Sequence, residues 1–436
     1  FHMERLRKRD LLLVGFTLFS MFFGAGNLIF PPGIAAQAGT MTWFAVLGLA
    51  VSAVGLPVLG VVAVARTGGL SALGDRVHPR FSRVFTVVAY LAIGPCLAIP
   101  RTATTSFEMA VPPFVGDNAP VGLYQLCFLL VFFVLALLVA LRPEKLTDRL
   151  GKIMCPILIA LILVTFAACL IHPPAGYGAP APAYYSPVSA VAQGFLQGYQ
   201  TMDTIAALAF GVIISLNIRA RGVQENHSVV RSTVRAGIIA GILLFLIYAM
   251  LAHIGAVSAG AFPDPTDGAQ ALTNVVAALF GPGGSLLLAA IFLIACFNVC
   301  VGLISSCGEF FSETFPALSY RQWAVLFALV SFLIANIGLN QILTLSLPVL
   351  NIIYPVAIVL ILLSFFHRFL ARRPRVYPVT ILFTGVASFL LELERLTFSD
   401  MLAFIPLADL GLGWLLPALA GLVLGLLLPP GAPAEQ

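Results

Sequence analysis

The chain has 436 residues, of which 60% are hydrophobic and 9% charged, with a formal net charge of +5 and a mean hydropathy of +1.03. Soluble domains carry roughly 25% charged residues, so a soluble fold is excluded, and the chain reads as an all-α, polytopic integral membrane protein. The positive balance is no nucleic-acid footprint, because it is dispersed among short loops rather than gathered on one face.

A helix needs about 20 apolar residues to cross a bilayer. On that template twelve segments are expected: 11–38, 42–65, 82–112, 121–141, 150–171, 188–217, 231–257, 284–311, 321–337, 341–366, 376–391 and 412–428. Cytoplasmic loops are enriched in Lys and Arg. Twenty-one of the 23 Lys and Arg residues fall at the N-terminus and in, or at the margins of, every second loop, leaving only Arg101 deep within a segment and Arg395 on the other side. That alternation predicts twelve spans with both termini cytoplasmic.

The first segment is interrupted at Phe22-Phe23-Gly24-Ala25-Gly26-Asn27 and followed by Pro31-Pro32. Two glycines one residue apart loosen the backbone, and a break leaves amides and carbonyls without helical partners. In hydrocarbon such groups are tolerated only inside protein or beside a wet cavity. The positive end of a half-helix suits a carboxylate, and carbonyls suit Na⁺ or an ammonium group. The free amides near Ala25 and Gly26 are therefore candidates for a carboxylate, and Asn27 offers a carbonyl to a cation. The alternative is that the glycines only permit close helix packing.

In the third segment Arg101 and Glu108 share a helical face and could form a gate or a structural ion pair. The sixth segment is interrupted in turn, at Gln197-Gly198-Tyr199-Gln200-Thr201-Met202-Asp203-Thr204. Asp203 is the one carboxylate expected near mid-bilayer, where a charge costs roughly 2.5–3.5 kcal/mol on insertion scales. It awaits a substrate ammonium, a cation or a proton, or it caps the second half-helix. Tyr199, Thr201 and Asp203 join the substrate-binding candidates. Broken first and sixth helices, entering from opposite sides, mark an inverted-repeat secondary transporter. The expected organisation is a single membrane domain: one five-helix repeat over 11–171, a second over 188–366, and two additional helices over 376–428.

Residues 267–280 have helical spacing but are too short and polar to span, and read as a lid-like or re-entrant helix. In the eighth segment Ser305 and Ser306 could bind Na⁺ through their hydroxyls or back-bond to the preceding turn. The seven cysteines all lie in apolar segments and read as small buried hydrophobes without disulfides. Cys296, Cys300 and Cys307 share a face but lack His or carboxylate neighbours at ligand spacing. No nucleophile elbow or phosphate loop occurs, so no enzyme is expected, and no cofactor beyond a coupling ion.

The stretches Phe19–Pro32, Ile93–Thr104 and Gly198–Asp203 resemble the bacterial branched-chain amino acid:cation symporter family (BrnQ type), and the similarity runs along the chain. The resemblance implies uptake of leucine, isoleucine and valine across the bacterial inner membrane, driven by Na⁺ or H⁺. It also implies the fold of the bacterial leucine transporter, ten core helices plus two. By that likeness Gly24-Ala25-Gly26-Asn27 is the unwound carboxylate-binding segment. The carbonyls of Ser20 and Phe23, facing the hydroxyls of Ser305 and Ser306, would hold Na⁺, and Tyr90 is a loose match to a substrate-covering tyrosine. No nucleic-acid partner and no obligatory protein partner is expected. The rival readings are the same fold carrying another amino acid or a nucleobase, and a channel or receptor.

Overall fold

The computed structural model describes residues 6–141, 146–265 and 267–430, with backbone alone for 146–155. Helices account for nearly all of it, and each sequence break has a physical counterpart. The first segment is two half-helices, α1 (Lys8–Phe22) and α2 (Ala25–Ala38), separated at Phe23 and Gly24. Helix α3 (Thr42–Ala50) runs through a π turn into α4 (Leu56–Thr67), and the short α5 (Leu70–Asp75) follows.

The third segment is also interrupted, which its apolar pattern did not announce. Helix α6 (Pro79–Leu91) passes through a π turn into α7 (Ala98–Ala110), and Gly94, just before Pro95, has non-helical dihedrals. A proline removes one backbone donor and clashes with the preceding turn, so a kink there is expected.

Helices α8 (Val121–Ala140) and α9 (Leu146–Ile171) continue the chain. Helix α10 (Pro187–Gln197) is started by Ser186, whose hydroxyl accepts from the Ser189 amide at 3.1 Å, with Pro187 at the first helical position. One 3₁₀ turn over Gly198–Thr201 and the left-handed Met202 (φ 60°) separate it from α11 (Asp203–Ala220). A non-glycine residue in that region is strained, and such strain concentrates at functional breaks.

Helix α12 (Asn226–Ala261) outruns the expected 231–257. Helix α13 (Gly268–Thr314) joins the expected lid-like helix to the eighth segment through a kink at Gly281 (φ 69°) and Pro282. Its start is capped by Asp267, whose carboxylate accepts from the Gln270 amide at 2.8 Å; burial pushes that carboxyl above its ordinary range. Helices α14 (Tyr320–Ala335), α15 (Leu339–Phe365), α16 (His367–Leu370), α17 (Val376–Thr397) and α18 (Leu415–Leu427) complete the chain. Helix α17 extends six residues beyond the expected 376–391.

Among the described residues, eight helical stretches are long and apolar enough to cross a membrane, and three further apolar helices are shorter. Helix α8 presents Leu123, Leu126, Leu130, Val131, Leu135 and Leu138 outward, a surface suited to hydrocarbon rather than water. The six cysteines whose side chains are described are free thiols; the Cys155 side chain lies outside the described residues.

Packing places the breaks at the centre. Both half-helices of the first segment lie on α12, while α10 lies on α3 and α11 on α4. Helix α7 runs along α13, and α8 pairs with α14. Close approach of α2 to α12 depends on Gly255, where a Cβ would fall 2.5 Å from Cα of Pro32.

Candidate functional site

The two breaks meet. Helix α2 begins at Ala25, so the amides of Ala25, Gly26 and Asn27 lack intrahelical acceptors, and at the end of α1 the Phe19 carbonyl accepts from the Phe23 amide at 2.9 Å while those of Ser20 to Phe22 lie beyond the last helical bond. Asn27 is buried and uses both ends of its amide. Its Oδ1 accepts from the Gly24 amide at 3.0 Å, while its Nδ2 donates to Asp203 Oδ2 at 2.5 Å and to the Tyr248 hydroxyl. The Tyr248 hydroxyl in turn donates to Asp203 Oδ2 at 3.2 Å. One side chain from the first break and one from α12 thus converge on a single oxygen of the second break's carboxylate.

Of the roles the sequence left open for Asp203, capping of α11 is not the one it takes. Met202 stands at the cap position of α11, and the Asp203 carboxylate turns across the gap to Asn27 and Tyr248. The start of α11 is tied down by other groups. The Thr204 amide donates to the Tyr354 hydroxyl at 3.1 Å, and the Thr204 hydroxyl donates to the Ser52 carbonyl at 3.1 Å. Thr201 donates its hydroxyl to the Gly198 carbonyl at 2.8 Å. Tyr199 is buried and stacks on Tyr354 with ring centres 4.6 Å apart.

A cavity of about 50 Å³ opens beside this network. That is room for a few waters, at about 10–15 Å³ apiece. Gly24, Ala25, Gly26, Asn27, Thr201 and Asp203 line its polar side, and Phe22, Ile93, Ala206, Phe210, Val299 and Leu303 line its apolar side. A larger vestibule of about 690 Å³, with Gln37, Asp264, Asp267 and Leu343 on its walls, lies next to it. Phe30 and Gln200 face the vestibule, and Arg101 faces the cavity.

Of the two roles the sequence offered for Arg101, the ion pair with Glu108 is not formed. Arg101 is 4% exposed. Its guanidinium donates to the Gln200 carbonyl through Nη1 and reaches the Thr201 carbonyl at 3.5 Å through Nη2. It also lies over the Phe30 ring, 5.4 Å from its centre. Glycine at position 26 leaves room for this placement, because a Cβ there would sit 2.7 Å from Arg101 Nη2 and push the fork aside.

Other expected site residues are placed away from the cavity. Tyr90 stacks on Phe310 with ring centres 3.9 Å apart, and its carbonyl accepts from Cys307 Sγ at 3.6 Å. The π turn and kink after Leu91 turn it toward α13, and it is Arg101 that the third segment sends to the breaks. Ser305 and Ser306 are half-buried on α13, beyond Val299 and Leu303, the α13 residues that line the cavity. Phe23 is buried and Ser20 exposed. Tyr248 and Tyr354 were missed by sequence reasoning, since lone tyrosines in apolar helices carry no local signal.

A family model described as "Branched-chain amino acid transport protein" matches residues 7–430. The chain is 44% identical to the branched-chain amino acid transport system 2 carrier protein of Pseudomonas aeruginosa, over 97% of this chain and 96% of that one. It is 41% identical to the branched-chain amino acid permease BraB of Bacillus subtilis, over 96% and 95%. The fold is similar to that of Mhp1, described as a nucleobase-cation-symport-1 family transporter in a closed conformation with bromovinylhydantoin bound, with a TM-score of 0.58 and 16% identity over 94% of this chain and 91% of that one. The relatives are named carriers and permeases rather than enzymes, and by these matches the chain belongs to the branched-chain amino acid transport protein family.

Proposed function

We propose that the chain is a symporter that imports leucine, isoleucine and valine, driven by Na⁺, with H⁺ as the alternative coupling ion. The observation that carries this reading is the meeting of two helix breaks at Asn27, Asp203 and Tyr248 beside an apolar cavity. A zwitterion needs a positive end and a negative end a few ångströms apart. The free amides at Ala25 and Gly26 are the first, and the Asp203 carboxylate is the second. Thr201 shapes the polar wall, and Tyr199 is held against Tyr354 in the same break. Phe22, Phe210, Val299 and Leu303 would meet the branched side chain. The present cavity is smaller than leucine, so binding requires the walls to part, as alternating access demands.

The packing supports an inverted repeat, because the first break lies on α12 as the sixth lies on α3 and α4. Twelve spans, repeats over 11–171 and 188–366, two additional helices over 376–428, cytoplasmic termini and an inner-membrane location complete the reading. The vestibule then faces outward. A Na⁺ between the carbonyls of Ser20 and Phe23 and the hydroxyls of Ser305 and Ser306 would couple uptake to the membrane potential. One charge moving down 100 mV supplies about 2.3 kcal/mol, on the order of 50-fold accumulation.

The test is leucine uptake into proteoliposomes with Na⁺ and pH gradients imposed separately. Accumulation above equilibrium in one gradient identifies the coupling ion, and none in either refutes the symporter. An apolar wall discriminates a missing methylene by only about 1–3 kcal/mol. Isoleucine and valine should therefore compete with leucine within about tenfold of one another, while glycine and alanine compete weakly. If isoleucine and valine fail to compete, another solute is the substrate. Replacing Ser305 and Ser306 together by alanine should raise the Na⁺ concentration needed for half-maximal uptake by about tenfold or more, the weight of one or two hydrogen-bonding ligands. An unchanged Na⁺ response would place the cation elsewhere.

A further inference from the structure

Among the described residues, Arg101 is a buried cation with no carboxylate within ion-pair distance. Its guanidinium is held by the carbonyls of Gln200 and Thr201 and by the face of Phe30, and its Nε has no hydrogen-bond partner. Among the described residues, its side chain belongs to neither ion pair of the chain, Asp10 with Arg221 and Glu392 with Arg395. Asp203 acts on it through space, but the Asp203 oxygen that faces the breaks is engaged by Asn27 and Tyr248. Neutral carbonyls are weak compensation for a full charge out of water. A guanidinium is a planar fork of donors matched to a carboxylate, and it keeps its charge under all ordinary conditions.

Its position sharpens this. The guanidinium lies against Gly26, in the first turn of α2, where unpaired amides already favour an anion. It lines the small cavity together with Gly26 and Asp203. A positive fork and a carboxylate therefore face one cavity, from α7 and from α11.

We infer that Arg101 receives the carboxylate of the substrate. In the structure described here the fork rests on the sixth-segment carbonyls. On binding, it exchanges them for the substrate carboxylate while Asp203 takes the ammonium. The exchange frees Gln200, which also faces the vestibule, so occupancy of the site is coupled to the backbone of the sixth-segment break. The inference rests on the proposed transport of amino acids and adds the group that selects an α-amino acid over a plain amine.

The experiment measures binding of L-leucine and of L-leucinol, which carries an alcohol in place of the carboxylate, to the purified full-length protein. Wild type should prefer leucine by about 10- to 100-fold, the weight of a charge-assisted hydrogen bond. In Arg101→Gln that preference should fall to about threefold or less with leucinol affinity nearly unchanged, and Arg101→Lys should retain an intermediate preference. A thermal melt checks that the variants are folded. If Arg101→Gln is unstable, Gly26→Ala provides the second variant. Its methyl group displaces the fork while leaving the charge, and it should reduce the leucine preference in the same direction. A preserved preference in Arg101→Gln or in Gly26→Ala, or equal loss of both ligands in a folded variant, overturns the assignment alone. If wild type binds neither ligand, the proposed substrate class is overturned as well.

Discussion

Asp203→Asn abolishes concentrative leucine uptake while leaving the protein folded and in the membrane. Asparagine has the same shape and still offers an oxygen to the Asn27 amide 2.5 Å away, so the helix crossing keeps its geometry. What is lost is the negative charge. Removing one partner of a buried, hydrogen-bonded charge pair costs about 2–5 kcal/mol, so substrate affinity should fall by roughly 30-fold or more. The measurement is uptake per molecule of protein at matched membrane levels. Near-normal uptake would leave Asp203 as a polar tie between α2 and α11, and the ammonium would have to bind elsewhere.

Asn27 should be almost as sensitive, for a different reason. Its amide works as donor and acceptor at once, closing the first break through Gly24 and bridging to Asp203 and Tyr248. Alanine removes both functions and leaves buried partners unsatisfied, at about 1–3 kcal/mol for each neutral group and more for a charged one. Aspartate keeps the acceptor for Gly24 but sets a second carboxylate against the first. Like charges at that distance cannot both remain ionised. Asn27→Asp should therefore lower uptake at neutral pH at least as far as Asn27→Ala, by tenfold or more on the same scale. Paired uptake and thermal-stability measurements on the two variants check this. Full activity in Asn27→Asp would mean that the amide's donor role is dispensable.

Much of this architecture was legible in the chain because the bilayer is a strict solvent. A backbone in hydrocarbon must pair its own amides, so clustered glycines and polar residues inside an apolar run point to a break. Gly24 to Asn27 and Gly198 to Asp203 announced themselves in that way, but the first break is narrower than expected: only Phe23 and Gly24 lie outside the helices, and Ala25, Gly26 and Asn27 form the first turn of α2, while α10 ends and α11 begins around the second. The helix over 267–280 was legible from its spacing and polarity for the same reason. The third-segment kink was harder to see, since Gly94 and Pro95 sit among apolar residues without a polar marker. That kink aims Arg101, and not Tyr90, at the breaks.

Composition and the placement of breaks are one-dimensional, and the chain by itself determined them: an all-α membrane protein, two interrupted helices, and Asp203 as the acidic residue at their meeting point. Which partners Asp203 finds was decided only in three dimensions. Asn27 and Tyr248 come from α2 and α12 and are separated from Asp203 by 176 and 45 positions, and Arg101 reaches the Thr201 carbonyl across 100 positions. No local pattern encodes such meetings. A side chain's periodicity reports the face it occupies, and only the packing of α2 and α11 against their neighbours sets what that face meets. The ion pair between Arg101 and Glu108, one of the two roles the sequence offered them, is not formed for this reason: both lie on one helix, but the carbonyls of another segment's break stand closer to the guanidinium than Glu108 does.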